Sequence, residues 1–255
     1  MEINKIYNEN CIDTMARMSD NFIDLTVTSP PYDNLRDYNG YIFDFENIAK
    51  ELYRVTKEGG VVVWIVGDAT INGSESGTSF KQALYFKECG FNLHDTMIWL
   101  KPNAMPQINK SRYTQCFEYM FVLSKGKPTK TNLLKTRTKY GGQIISRGDG
   151  NNQNINKKGK NLVSIKKIKQ NIFSYNVGCS NYGHPAIFPE KLAADHIYSW
   201  SNEGDLVYDC FMGSGTTAKM SHIHNRNWIG SELSKEYFNI ANKRIKEHQS
   251  QLRLI

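Results

Sequence analysis

The chain has 255 residues, 40% of them hydrophobic, and a formal net charge of +7, which allows one large domain or a domain with an insertion, with enough apolar content for a packed core. No apolar run approaches the ~20 residues of a membrane helix, and the first residues lack the charged-then-apolar pattern of a secretory signal. Five scattered cysteines without a Cys-x-x-Cys pair argue against a disulfide framework and a structural zinc, so a reducing cytoplasm fits best, and His94, His222 and His224 show no ligand spacing with Cys or acids, so no metal site is expected.

Strand and helix signals alternate along most of the sequence, the mark of an α/β sheet. Residues 23–27 read as a buried strand that runs into Thr28-Ser29-Pro30-Pro31-Tyr32. Phe45, Ile48, Ala49, Leu52 and Tyr53 then recur at helical spacing, and Gly59-Gly60 is expected to stop that helix. Residues 61–66 are continuously apolar, as in a strand buried on both faces. A helix is expected at 78–89, ended by Gly90, followed by strands at 91–100 and 117–123.

From about residue 124 to 183 the periodicity breaks, and a structureless loop of that length is improbable inside a compact core. Residues 125–170 hold 13 Lys and Arg against one acid, Asp149, whereas the remaining residues carry 19 bases against 24 acids. The whole basic character of the chain therefore sits in one segment. Such clustering suits phosphate contact, because neutralised phosphates release condensed counterions, although charge runs are commonly just solvated loops. We expect an inserted region over 125–180 that contacts nucleic acid, between segments 1–124 and 181–255. Lys135, Arg137, Arg147, Lys157, Lys158, Lys166 and Lys167 are candidate DNA contacts, as is Arg112 in a polar loop. Regularity returns with a helix from Pro189 to about Trp200, a strand at 205–209, a helix to about His224, a strand at 228–230 and a charged helix at 234–248.

The strand at 205–209 ends in Asp209 and leads into Phe211-Met212-Gly213-Ser214-Gly215-Thr216-Thr217. Open α/β sheets bind ligands at such carboxyl ends. Gly213 and Gly215 permit close backbone approach, and a helix starting at Thr216 offers capping hydroxyls and free amides to an anionic group. Glu232, about 20 residues on, stands where an acid can accept from ribose hydroxyls. A phosphate loop would need Lys where Thr216 stands; a dinucleotide turn and a plain strand-to-helix turn remain alternatives.

In the proline elbow, two consecutive prolines fix φ and remove two donors, and Ser29 is held extended before Pro30. A hydroxyl and a carbonyl then point in fixed directions beside the ring of Tyr32. That is a receptor for an aromatic amine, whose lone pair becomes nucleophilic when its protons are held out of plane. Alone, the same residues would be a surface turn.

With both motifs in this order, the chain resembles the DNA amino-methyltransferases, specifically the permuted β-class in which the catalytic segment precedes the cofactor segment. The resemblance covers most of residues 1–124 and 180–248. It implies a Rossmann-like fold with a seven-stranded mixed sheet, one strand antiparallel, and S-adenosylmethionine as cofactor. It makes Ser29, Pro30, Pro31 and Tyr32 the catalytic elbow. Asp209, Phe211, Gly213, Gly215 and Thr216 match the methionine-side cofactor motif, Glu232 the ribose-binding acid, and His184, Pro185 and Phe188 a further cofactor motif. Asn10, beside Cys11, stands where the family often has Asp for the cofactor's adenine amine. Trp99, Lys101 and Pro102, with Glu118 and Tyr119, resemble scaffold segments.

Ser at position 29 is similar to enzymes that methylate cytosine N4, where Asp is typical of adenine N6. The expected reaction is transfer to cytosine N4 in duplex DNA, with the target base flipped out and its amine attacking directly. Cytosine C5 chemistry would need a nucleophilic Cys, usually after Pro, and no Pro-Cys pair occurs. Adenine N6 methylation by the same machinery is the alternative, and a catalytically inactive DNA-binding regulator a remoter one. Double-stranded DNA is the expected partner, with no membrane, a cognate restriction endonuclease as a candidate companion, and a monomer or homodimer as the assembly. Asp68, after the strand at 61–66, either orients the base or anchors a loop or helix.

Overall fold

The structure is a computed structural model that describes residues 1–31, 43–106, 111–146, 160–177 and 189–252. In chain order its elements are β1 (Lys5–Tyr7), α1 (Cys11–Ala16), β2 (Ile23–Thr28), α2 (Phe45–Val55), β3 (Thr56–Val66), β4 (Thr70–Ile71), β5 (Ser74–Glu75), α3 (Thr78–Glu88), β6 (Asn92–Leu100) and β7 (Phe117–Ser124). There follow β8 (Lys135–Arg137), β9 (Ile144–Ser146), β10 (Lys160–Leu162), β11 (Lys166–Ile168), β12 (Ile172–Ser174), α4 (Glu190–Trp200), β13 (Leu206–Asp209), α5 (Thr216–Ile223), β14 (Asn227–Ser231) and α6 (Lys235–Leu252).

Eight strands make one sheet in the order β1-β14-β13-β2-β3-β7-β6-β12. β7 pairs antiparallel with both β3 and β6, and every other neighbouring pair is parallel. Seven strands thus share one direction, and their carboxyl ends lie along one edge. The count exceeds the expected seven by one, because residues 172–174 add as β12 beside β6. Three residues are too few to show a period in sequence. The addition is anchored by buried Phe173 and by the Trp99 indole, which donates to the Tyr175 carbonyl at 2.9 Å.

The strand at 61–66 is buried throughout, between layers, as its unbroken apolar run requires. α2 lays Ile48, Ala49, Leu52 and Val55 against it, all fully buried. Ile48, Leu52 and Val55 each contribute roughly 1.5–3 kcal/mol of transfer free energy. α2 ends earlier than Gly59-Gly60, at Val55, where the Thr56 hydroxyl donates to the Leu52 carbonyl at 2.6 Å. The glycines instead lie inside β3, where the register with β2 shifts between Ile23 and Leu25. Gly59 has φ +76°, and a Cβ there would stand 2.4 Å from Thr129 Cγ2.

The chain forms two compact units, Met1–Asn132 with Asn171–Ile255, and Leu133–Gln170. The second is narrower than the expected 125–180 insertion. Lys125 and Lys130 belong to the larger unit and serve its packing: Lys125 lies 4.6 Å over the Tyr53 ring, and Lys130 pairs with Asp24 and Asp205, each at 2.7 Å. The smaller unit holds two antiparallel pairs, β8 with β11 and β9 with β10. Among the described residues no helix is long and apolar enough to cross a membrane.

Candidate active site

Because β1, β14, β13, β2 and β3 are parallel neighbours, the segments that follow them meet along one edge of the sheet. In that order they bring Asn10, Glu232, the glycine turn, the proline elbow and Asp68 side by side. Ligands of open α/β sheets bind at such an edge. Residues more than 180 apart in sequence are neighbours here.

The link between elbow and turn is a buried hydrogen bond. Thr28, the last residue of β2, donates its hydroxyl to Asp209 Oδ1 at 2.7 Å. The same oxygen accepts the Phe211 amide at 3.0 Å. Asp209 is fully buried, and burial raises its carboxyl above the ordinary range against the opposing hydrogen bonds of Thr28 and the Phe211 amide. Ser29, Pro30 and Pro31 therefore leave β2 from a point fixed to the cofactor-motif strand. Pro30 is buried and Ser29 and Pro31 are half-buried. Tyr32 lies outside the described residues, as do His184, Pro185 and Phe188.

The glycine turn is built as a close-approach cradle. Gly213 and Gly215 take φ of +52° and +81°, values that L side chains rarely adopt. A Cβ on Gly215 would come within 3.1 Å of the Ala241 Cβ on α6. Gly215 caps α5 with no side-chain hydrogen bond, so the expected capping by Thr216 and Thr217 does not occur. Thr217 instead donates to the Val27 carbonyl at 3.3 Å, and Thr216 accepts from Arg244. The first-turn amides of α5 are thereby left for an anionic group. Phe211 packs edge-on against Phe43, centroids 5.7 Å apart, and against Trp64.

Glu232 stands just past β14, almost wholly buried, with Oε2 accepting the Gly213 amide at 2.7 Å and Oε1 the Ser234 amide at 2.8 Å. Burial raises its carboxyl despite those amides. Each carboxylate oxygen keeps a further lone pair for a ligand hydroxyl. Asn10 is the N-cap of α1, its side-chain oxygen accepting the Ile12 amide at 3.0 Å. Cys11 is buried beside it, its thiol pushed up to about 12 by burial. Burial likewise pushes up the thiol of Cys210.

Two residues essential to this geometry escape sequence reading. Arg244 on α6 is 5% exposed and reaches beneath the turn, donating to the Ser214 carbonyl and hydroxyl, each at 3.1 Å, and to the Thr216 hydroxyl at 3.0 Å. Glu190 on α4 accepts from both Arg244 and Lys219. The available signal is that Arg244 falls between Ala241 and Ile245 on the apolar stripe of α6, where a charge needs a partner. Thr28 is the second: it opens the elbow motif in sequence, but nothing in the spacing marks its hydroxyl as the donor to Asp209.

Asp68 serves as an anchor. Its carboxylate accepts the Ser79 amide at 2.8 Å and the Ser76 and Ser79 hydroxyls, tying the start of α3 to β3. Arg112 is held by the β4–β5 hairpin, donating to the Gly73 carbonyl and pairing with Glu75 at 3.5 Å. Lys101 pairs with Glu118 and lies 4.6 Å over the Trp99 ring, joining the scaffold segments. Among the candidate DNA contacts, Lys135, Arg137, Lys166 and Lys167 are exposed in the smaller unit. Arg147, Lys157 and Lys158 lie outside the described residues.

The sequence pattern of the N6/N4 DNA methylases matches residues 23–243, from the strand before the elbow to α6. The chain belongs to that family. This DNA methyltransferase is similar to the orphan methyltransferase M.BamHII of Bacillus amyloliquefaciens, with 57% identity over 240 residues and 89% of each chain covered. It is also similar to the Type II methyltransferase M.SmaI of Serratia marcescens, with 26% identity over 282 residues, 94% of this chain and 90% of that one. Among solved structures, the PvuII cytosine-N4-specific DNA methyltransferase superposes with a TM-score of 0.71 at 21% identity, over 97% of this chain and 91% of that one. The M1.HpyAVI–SAM complex superposes with 0.65 at 24% identity, over 94% and 98%. These two are likenesses of fold, and they place the methyltransferase in the Rossmann-like α/β class.

Proposed function

We propose that the protein is a β-class, site-specific DNA methyltransferase that methylates cytosine N4 in duplex DNA with S-adenosylmethionine as donor. The observation that carries this reading is the Thr28–Asp209 hydrogen bond, which fixes the serine-proline elbow to the glycine turn across neighbouring parallel strands. S-adenosylmethionine supplies an electrophilic methyl group on a sulfonium. The residues fit such a donor: the turn is a glycine cradle, α5 begins without a side-chain cap, and Glu232 retains acceptor capacity toward ribose hydroxyls. Asn10 and Cys11 border the same edge on the side of β1, the expected adenine end, and Phe211 offers an apolar wall.

On the elbow, the Ser29 hydroxyl and Pro30 carbonyl accept the two protons of a flipped base amine, and Tyr32 stacks on its ring. Holding both protons out of the ring plane restores lone-pair character to nitrogen, which is the chain's contribution to the transition state. No thiolate is required, consistent with buried Cys11 and Cys210, whose thiols are pushed far toward the neutral form. Ser29 is the residue that favours cytosine, in line with the cytosine-N4 specificity of the PvuII enzyme. The smaller basic unit takes the role of target recognition. The orphan designation of M.BamHII supports action without a companion endonuclease.

Nucleoside mass spectrometry of duplex DNA treated with protein and S-adenosylmethionine tests the reading. We expect 4-methylcytosine, lost in Tyr32→Ala while cofactor binding persists. 6-Methyladenine would overturn the base assignment, and DNA binding with failure to bind the cofactor, read by thermal shift, would leave the inactive regulator.

A further inference from the structure

The register of the β8–β11 pair separates the basic residues of the smaller unit by face. Arg137 stands opposite Lys166, Thr136 opposite Lys167, and Lys135 opposite Ile168. The ladder extends one pair each way, since the Thr138 amide donates to the Ile165 carbonyl at 2.9 Å and the Lys169 amide to the Leu134 carbonyl at 2.8 Å. Side chains of opposed residues share a face and alternate along each strand. One face therefore carries Lys135, Arg137, Lys166 and Ile168, all exposed. Lys167 falls on the other face, together with exposed Thr136 and Ile165 and half-buried Leu134, Thr138 and Lys169.

Arg137 and Lys166 are like charges directly opposed, and they lie between hydrogen-bonded pairs, in the class whose side chains approach most closely. Like charges so placed destabilise a ribbon. No acid lies in β8 or β11 or between them except Asp149. Ile168, 59% exposed, adds an apolar side chain to the same surface. A two-stranded ribbon fits the major groove of B-DNA, where cations meet phosphates or guanine edges and an apolar group meets the thymine methyl.

We propose that the Lys135–Arg137–Lys166–Ile168 face of this ribbon is the DNA-contacting surface of the smaller unit, and that Lys167 takes no part in it. The assignment rests on duplex DNA being the substrate, and it divides residues that sequence treats alike.

The test is duplex binding by fluorescence anisotropy over a salt series, with Lys135→Gln, Arg137→Gln, Lys166→Gln and, as matched control, Lys167→Gln. Each of the first three should flatten the slope of log affinity against log salt by about 0.9, and Lys167→Gln should leave it unchanged. Thermal unfolding should show Arg137→Gln and Lys166→Gln at least as stable as the parent, separating loss of binding from loss of fold. A Lys167→Gln effect equal to that of Lys166→Gln would overturn the assignment, as would normal slopes in all three face variants of a protein that binds DNA. A parent that neither binds nor methylates duplex DNA would remove the substrate reading and this inference together.

Discussion

Asp209 carries a carboxylate into a site with no solvent access, and what it touches there explains its place in the motif. Its Oδ1 holds the Thr28 hydroxyl and the Phe211 amide, so one side chain sets both the spacing of two strand ends and the entry of the glycine turn. Thr28→Val keeps the volume and removes the donor, leaving a buried carboxylate with one partner fewer. We expect a loss of about 1–3 kcal/mol, or several degrees in Tm for a chain of this size, measured by thermal unfolding, with weaker cofactor binding by calorimetry. Thr28→Ser should stay near the parent. Glu232 makes a related case, because its two oxygens accept two different amides. In Glu232→Gln one of those amides meets an NH2 group, and cofactor affinity should fall about tenfold or more, at the lower end of what a hydrogen bond to a charged group is worth. An affinity equal to the parent's in that variant would sink the role given to Glu232.

At the scale of elements, the sequence made the long ones legible and missed those whose stability comes from neighbours. The apolar run at 61–66 and the helical spacing of Phe45, Ile48, Ala49, Leu52 and Tyr53 are local signals, and β3 and α2 follow them. β1, α1 and β12 have three to six residues each; they exist because β14 and β6 offer free edges and because Arg54 holds the end of α1 through the Met15 and Met18 carbonyls. None of that is local information. The site divides in the same way. Ser29, Gly213, Gly215 and Glu232 lie in recognisable spacings, whereas Arg244 works from a helix that looks merely charged. Its hydrogen bonds to Ser214 and Thr216 make α6 the support of the turn. Arg244→Met should raise the dissociation constant for S-adenosylmethionine about tenfold while leaving the salt dependence of DNA binding intact, since the lost bonds involve a charged donor. Arg244→Lys should recover only part of the loss, because an ammonium cannot reproduce the planar fork.

For the molecule as a whole, two opposite populations of buried carboxylates set the response to pH. Asp209 and Glu232 have carboxyls raised by burial, so the folded state holds their protons more tightly than the unfolded chain does, and their contribution falls as pH rises. Asp24, near the opposite end of β2, behaves otherwise. Burial pushes its carboxyl up, but the Leu206 amide, Lys130 and Lys57 outweigh that and hold it below the ordinary carboxylate range. A lowered carboxyl stabilises the fold above the unfolded value, and that stabilisation disappears as pH falls through the folded value. Asp24 also joins β2 to the start of β13 and, through Lys130, to Asp205, so its protonation loosens the amino-terminal side of the sheet that carries the site on its other edge. Urea unfolding from pH 7 down to pH 3 should therefore show a steep acid loss in the parent. Asp24→Asn should be less stable at pH 7, and its stability should fall less steeply below pH 5. If the two proteins lost stability in parallel over that range, the acid response would have to come from carboxylates other than Asp24, with Glu190 under Lys219 and Arg244 the next to vary.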